Sequence, residues 1–163
     1  SPANLVFTPA NFATPQTVTV TGVNDTVDDG DIVSLITLAT DDAASANEYD
    51  PVSGSVTNTN TDDDASPVFT SVTAAAAGTN EVTATFSEGL LCSSVDLADF
   101  TVTVNGGARA VTGINCTNPD AAPEIAFGGT PTVAGQTVVV NLVGTVTDPE
   151  SNAAAPASQS DTV

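Results

Sequence analysis

Apolar and polar residues alternate with a period of two along much of this chain. In Gln16–Gly22, two valines fall on one face and three threonines on the other. Such alternation of β-branched residues is typical of a half-buried β-strand. Glu81–Ser87 alternates in the same way and places Val82, Ala84 and Phe86 on the inward face. Both segments therefore predict strands that cover a core with one face.

The first part of the chain contains four predicted strands. Ile32–Ala39 is apolar on both faces, which favours a central strand of a sandwich. The other three are residues 4–8, Gln16–Gly22 and Val52–Asn60. Turn residues between these strands predict a turn over residues 11–15, an acidic turn over 24–31 and a polar loop over 40–51.

A second series of strands begins after Pro67. The predicted strands are Val68–Thr73, Glu81–Ser87, Phe100–Val104, Arg109–Ile114, Glu124–Phe127, Gln136–Val143 and, at a sheet edge, Ala153–Val163. Asn105-Gly106-Gly107 is a hairpin signal, and Ser94–Asp99 predicts one helical turn capped by Ser93 or Ser94. Strands recurring about every 10 residues are typical of β-sandwiches. The sequence therefore predicts an all-β fold of two tandem β-sandwich modules, residues 1–64 and 65–163.

The charge of the chain is its most unusual property. The 163 residues include a single basic side chain, Arg109, and 20 acidic ones, for a net charge of −19. A chain without cations to neutralise phosphates is not expected to bind nucleic acid or anionic lipid surfaces. It also has no run of 18 apolar residues, so no membrane insertion is predicted. Divalent cations or a basic partner are the expected ligands, and a solubilising acidic surface is the alternative.

Acidic residues cluster in the turn Asn24–Asp31 and in the triplet Asp62-Asp63-Asp64. Three consecutive carboxylates repel one another unless a cation holds them together. Ca²⁺ takes about six to eight oxygen ligands, and an acidic turn with a glycine can supply several of them. The predicted Ca²⁺ ligands are Asp25, Asp28, Asp29, Asp31, Asp62, Asp63 and Asp64, with Glu88, Asp99 and Asp148 as weaker candidates. Solvated turns are the alternative, because Asp and Asn are ordinary turn residues.

Cys92 and Cys116 are the only cysteines, and the chain has no histidine. This residue set does not provide the usual ligands of a zinc site. In an acidic, Thr-rich chain of extracellular character, the pair predicts one disulfide. It would close a loop of about 25 residues and contribute about 3 kcal/mol. Two free buried thiols are the alternative.

The residue types that catalysis commonly uses are scarce. Without His or Lys, the usual nucleophile–base pairs cannot form, and no Gly-rich phosphate loop is present. Two carboxylates could serve a glycosidase, but sugar clefts usually carry aromatic platforms. The chain has six Phe, one Tyr and no Trp, with most of the Phe at core positions of predicted strands. A non-enzymatic protein is therefore predicted.

Residues 4–64 resemble the second half of a Calx-β-like repeat. The resemblance is carried by Leu5–Pro9, Pro15–Val23, Asp28–Asp31 and Ser55–Asp64. In Calx-β modules, acidic turns near the module ends hold Ca²⁺, which implies ligands at Asp28, Asp29, Asp31 and Asp62–Asp64. A full module has further strands before the matching stretch. The resemblance therefore implies a first sandwich that is incomplete.

Residues 66–163 resemble the bacterial immunoglobulin-like modules of giant surface adhesins. The matching residues are Thr85–Glu88, Asp99–Gly106, Ala134–Val138, Asp148 and Asn152-Ala153. The two resemblances together imply a structural segment of an extracellular bacterial surface fibre, adhesin or surface layer, rigidified by Ca²⁺.

The incomplete first sandwich has two explanations: the chain is cut from a longer repeat protein, or strands from a neighbouring copy complete it. Strand addition from a second copy would complete the sheet, and head-to-tail contacts of this kind build filaments. Two other functions remain open. One is a lectin-like binding module, for which Tyr49 is the candidate aromatic residue, and the other is an accessory module of a secreted hydrolase.

Overall fold

The computed structural model describes residues 4–46, 48 and 51–163. These residues form an all-β fold that divides into two compact units. Unit 1 comprises the described part of Ser1–Asp25 together with Asp29–Asp62. Unit 2 comprises Thr26–Asp28 together with Asp63–Val163. No helix in the described part of the chain is long and apolar enough to cross a membrane.

Unit 1 contains one two-stranded antiparallel sheet, formed by β1 (Ile32–Ala39) and β2 (Ser53–Asn60). Hydrophobic patterning located both strands to within one residue. The prediction that β1 is a central strand is wrong, because β1 pairs only with β2 among the described residues. Its side chains are correspondingly open to solvent, and Leu35 is 64% exposed.

The predicted strands at residues 4–8 and Gln16–Gly22 are not strands in the structure. Thr17–Gly22 makes no backbone hydrogen bond to another described residue. Alternation marks a segment that suits a sheet, but a strand also needs a paired neighbour. The turn predicted over residues 11–15 is confirmed for residues 11–14, where the Thr14 N–H donates to the Asn11 carbonyl at 2.9 Å.

Unit 2 contains two four-stranded antiparallel sheets. The first has the order β3-β4-β8-β7, with β3 at Phe69–Ala74, β4 at Glu81–Phe86, β7 at Val111–Asn115 and β8 at Glu124–Phe127. The second has the order β10-β9-β5-β6, with β5 at Phe100–Val104, β6 at Gly107–Arg109, β9 at Thr137–Leu142 and β10 at Ala157–Thr162. The predicted edge strand near the end of the chain is confirmed as β10.

Two local predictions in unit 2 need correction. The single return strand predicted over Arg109–Ile114 is two strands, because the chain leaves β6 and crosses to the other sheet as β7. The helical turn predicted over Ser94–Asp99 is replaced by two 3₁₀ turns, Cys92–Ser94 and Leu97–Asp99. Asp96 caps the second turn. Ser94 is not free to do so, because its hydroxyl donates to the Leu91 carbonyl and accepts from the Thr147 N–H.

Among the described residues, the hydrophobic core lies in unit 2 and draws side chains from both sheets. Its buried residues are Phe69, Val72, Val82, Ala84, Phe86, Leu90, Phe100, Val102, Val104, Ile125, Phe127, Val138, Val140, Leu142, Val146 and Ala154. The inward face predicted for Glu81–Ser87 is thereby confirmed. By contrast, no described residue of unit 1 is buried.

Two further features tie unit 2 together. Gln159 and Asp161 of β10 reach the edge strand of the opposite sheet, where they bond the Phe69 carbonyl and the Ala74 N–H. The predicted disulfide is present and joins Cys92 to Cys116, whose Cα atoms lie 5.7 Å apart. It connects the first 3₁₀ turn to the segment that follows β7.

Candidate cation site and its polar anchor

The structure distributes the predicted calcium ligands over both units. In unit 1, the backbone N–H of Asp62 donates to Asp31 Oδ1 at 2.9 Å, and Asp62 Oδ2 accepts from the Gly30 N–H at 2.6 Å. These bonds link the acidic turn to the first residue of the triplet. Asp25 and Asp29 are exposed. In this unit the carboxylates therefore serve at least in part as acceptors for backbone amides.

The remaining predicted ligands belong to unit 2. Asp63 is exposed and Asp64 is half-buried. Asp99 accepts a 2.7 Å hydrogen bond from the Asp96 N–H, in the capping box of the second 3₁₀ turn.

Three predicted ligands, Asp28, Glu88 and Asp148, come together in unit 2. Partial burial raises the pKa of Glu88 above its ordinary 4.5, and the negative charges of Asp148, Glu150 and Asp28 raise it further. Glu150 was not among the predicted ligands. Its position two residues after Asp148, in the same acidic turn, is the signal that could have identified it. The structure thus places three other carboxyl groups near enough to Glu88 to raise its pKa.

Asn152 is the residue that organises this region, and sequence reasoning gave it no role at the site. Asp148 is buried, at 1% exposure, and each of its carboxyl oxygens accepts a hydrogen bond from Asn152. The Asn152 amide also donates to the Thr26 carbonyl at 3.1 Å and accepts from the Asp28 N–H at 2.9 Å. Asn152 therefore satisfies a buried carboxyl group and fixes the segment Thr26–Asp28 at the same time.

Much of the oxygen-donor capacity of this region is already used. Both oxygens of Asp148 accept hydrogen bonds, and Asp28 Oδ2 accepts one from the Ser66 N–H at 2.9 Å. Within the described ranges, no group of three or more Asp, Glu or Cys side chains is arranged to hold a metal ion. Ca²⁺ usually needs about six to eight oxygens. Calcium binding therefore stays a prediction.

Replacing Asn152 by alanine is expected to destabilise unit 2 by about 2 kcal/mol, because it leaves Oδ2 of the buried Asp148 carboxyl without a donor and removes the side-chain bonds to Thr26 and Asp28. Urea denaturation followed by circular dichroism measures this loss. Asn115→Ala is the control, since Asn115 is exposed and its side chain bonds Glu124 alone among the described residues. Equal effects of the two substitutions would contradict the anchoring role of Asn152.

The raised pKa of Glu88 predicts a specific pH dependence. The folded state holds the Glu88 proton more tightly than the unfolded state. This contribution to stability is fully present below the unfolded pKa and is lost as pH rises through the folded pKa. In chelator-treated protein, Glu88→Gln should therefore raise the melting temperature at about pH 7 and leave it unchanged at about pH 4. Glu81→Gln, at an exposed position, should show no such difference.

Tyr49, the candidate aromatic residue of a lectin-like module, lies outside the described residues. No family model matches the chain. No curated protein matches it either.

Solved structures of bacterial surface-layer proteins do share the fold. The N-terminal part of the bacterial S-layer protein SbsC matches 60% of this chain with a TM-score of 0.54 and 16% identity. A longer SbsC structure and a structure of SbsC domains 1–6 each match 61% of the chain at 16% identity, with TM-scores of 0.53 and 0.54. The chain spans 23% of the first of these proteins and 14% of the other two. At this identity the likeness establishes an all-β fold of the kind found in S-layer protein domains.

Proposed function

We propose that this chain is a structural, non-enzymatic module of a bacterial surface layer, located outside the cell. The observation that carries the proposal is the fold shared with the S-layer protein SbsC. The disulfide agrees with this location, because disulfides persist in oxidising extracellular surroundings. The net charge of −19 keeps such a module soluble and away from nucleic acid and anionic lipid.

The proposal includes assembly through contacts between copies of the chain. Unit 1 has one two-stranded sheet and exposes large apolar side chains, including Val33, Leu35 and Val56. A sheet of two strands is marginal in water unless other strands or a packing surface support it. Exposed apolar surface of this kind commonly marks an interaction site. The Calx-β resemblance of residues 4–64 supports the same interpretation of unit 1 as a partial sandwich that other strands complete.

Calcium is proposed as the ion that reduces repulsion among the acidic turns. Added Ca²⁺ is expected to release or absorb heat in titration calorimetry and to raise the melting temperature. The double variant Glu150→Gln and Glu88→Gln tests calcium binding in unit 2. The double variant Asp29→Asn and Asp63→Asn tests two of the other predicted ligands. Magnesium serves as the control ion, because it is smaller and retains its water more strongly. If calcium gives no heat and a chelator leaves the melting temperature unchanged, the acidity is a solubility feature only.

Immunoelectron microscopy of the cells that make the protein tests its location and role. Antibodies against the chain should label the outer surface of intact cells with a regular spacing. Extraction of the labelled layer should yield sheets or fibres that contain the chain as a major component. Label confined to the cell interior, or to soluble secreted material, would contradict the proposed function.

A further inference from the structure

A cleft of about 430 Å³ opens within unit 1. The β1–β2 sheet contributes Ile36, Leu38, Val56 and Asn58 to its lining. The register pairs Ile36 with Val56, and side chains alternate along each strand, so these four residues share one face of the sheet. The cleft is completed by residues that precede the sheet, Leu5, Gln16, Val18 and Val20. It is therefore an apolar space of the size that side chains fill in a packed sandwich.

The backbone beside this cleft has no pairing partner within the described part of the chain. Thr17–Gly22 makes no hydrogen bond through its N–H or carbonyl groups to any other described residue. Its β-branched residues nevertheless suit a sheet. Unpaired backbone groups next to an apolar groove form the arrangement that strand addition uses, with main-chain bonds for affinity and pockets for alternate side chains.

Charge indicates the occupant of the cleft. Residues 4–24 contain no charged side chain, and neither do β1 and β2. Each chain carries a net charge of −19, so two copies repel one another except where uncharged surfaces meet. A basic partner would instead be drawn to the acidic turns. The neutral lining of the cleft therefore suits a neutral strand with apolar residues at alternate positions.

The chain itself contains a segment of this composition. Residues 17–23 are uncharged, and Val18 and Val20 alternate with threonines. We infer that unit 1 is a self-association site, in which the cleft and Thr17–Gly22 of one copy bind the same segment of a second copy. This inference rests on the proposed function and names the partner and the surface for its assembly step.

The test is the self-association of the purified full chain, measured by sedimentation velocity and light scattering. The wild-type chain should associate reversibly, and more strongly as salt rises, because salt screens the repulsion between acidic copies. Val20→Asp should weaken association at least about tenfold, because it brings a carboxylate into an apolar contact. Val18→Asp is a second variant of the same lining and should act alike.

Thr37→Asp is the matched control. It adds the same charge to unit 1, but Thr37 is exposed on the face of β1 opposite the cleft and lies outside Thr17–Gly22, so association should stay within about twofold of wild type. Unchanged circular dichroism in each variant excludes unfolding as the cause. Equal weakening by Val20→Asp and Thr37→Asp would overturn the cleft as the contact.

If the wild-type chain stays monomeric up to its solubility limit, a second copy does not occupy the cleft. A strand from a different protein would then be the favoured occupant. This failure is distinguishable from failure of the proposed function. Regular surface labelling of cells together with a monomeric purified chain would keep the surface-layer role and remove only the inference about the cleft.

Discussion

Phe86→Ala is expected to lower the free energy of unfolding of unit 2 by about 3–5 kcal/mol, because it removes a buried ring and leaves a cavity. Phe86 is 4% exposed and stacks on Phe69 with 5.1 Å between ring centroids. Neighbouring core side chains in both sheets can close only part of such a cavity. The measurement is urea denaturation followed by far-ultraviolet circular dichroism, since the chain has no Trp to report by fluorescence.

Phe12→Ala is the matched control for this substitution. Phe12 lies in unit 1 and is 72% exposed, so its loss should change stability by less than about 0.5 kcal/mol. The comparison tests whether burial is confined to unit 2 in the isolated chain. If Phe12→Ala were as destabilising as Phe86→Ala, unit 1 would contain a core that the structure does not show.

Removing the disulfide with the double substitution Cys92→Ala and Cys116→Ala is expected to destabilise unit 2 by about 3 kcal/mol. The two cysteines are 24 positions apart, and the bond restricts the unfolded chain over that loop. Both cysteines are replaced together so that no free thiol remains. Thermal and urea denaturation measure the loss.

Reductant provides an independent control for the disulfide. Wild-type protein should lose a similar amount of stability when fully reduced, whereas the double variant should not respond to reductant. A double variant that is as stable as the oxidised wild type would show that the loop is held by its other contacts. One such contact is the antiparallel pair of backbone hydrogen bonds between Leu90 and Asp120.

The fold of unit 2 could be predicted largely from the sequence, because its signals are local. Alternation in Glu81–Phe86, the glycine turn after Val104 and the exact bounds of Glu124–Phe127 all follow from strand and turn chemistry. The change of sheet after Arg109 could not be predicted. Only Ala110 separates the two strands, with no Pro or Gly between Arg109 and Val111, and the tertiary fold alone determines which neighbour each half pairs with.

Unit 1 shows the limit of the same reasoning. Gln16–Gly22 has the residues of a strand but pairs with no other strand among the described residues. β1 is apolar on both faces, yet its pattern cannot reveal whether anything covers those faces. Strand propensity shows that a segment can form a strand, whereas its pairing and burial depend on the rest of the folded chain and on its partners.

The sequence identified most of the acidic residues in this region of unit 2 but did not predict how they are arranged. Asp28, Glu88 and Asp148 were identified by residue type, although their mutual proximity depends on contacts across long stretches of sequence. Asn152 gave no signal for its role, because Asn in a Pro- and Ser-containing turn reads as an ordinary turn residue. Its function arises from burial beside Asp148, which only the folded chain reveals.

The disulfide also has a chemical consequence for durability. It occupies both sulfur atoms of a chain that has no Met, Trp or His. Oxidants such as peroxide act chiefly on thiols and thioethers, and the enzymes that reverse such damage are needed where those groups are exposed. The folded, disulfide-bonded chain offers peroxide neither group. A module of this composition can therefore persist in aerated surroundings without enzymes that reduce oxidised sulfur.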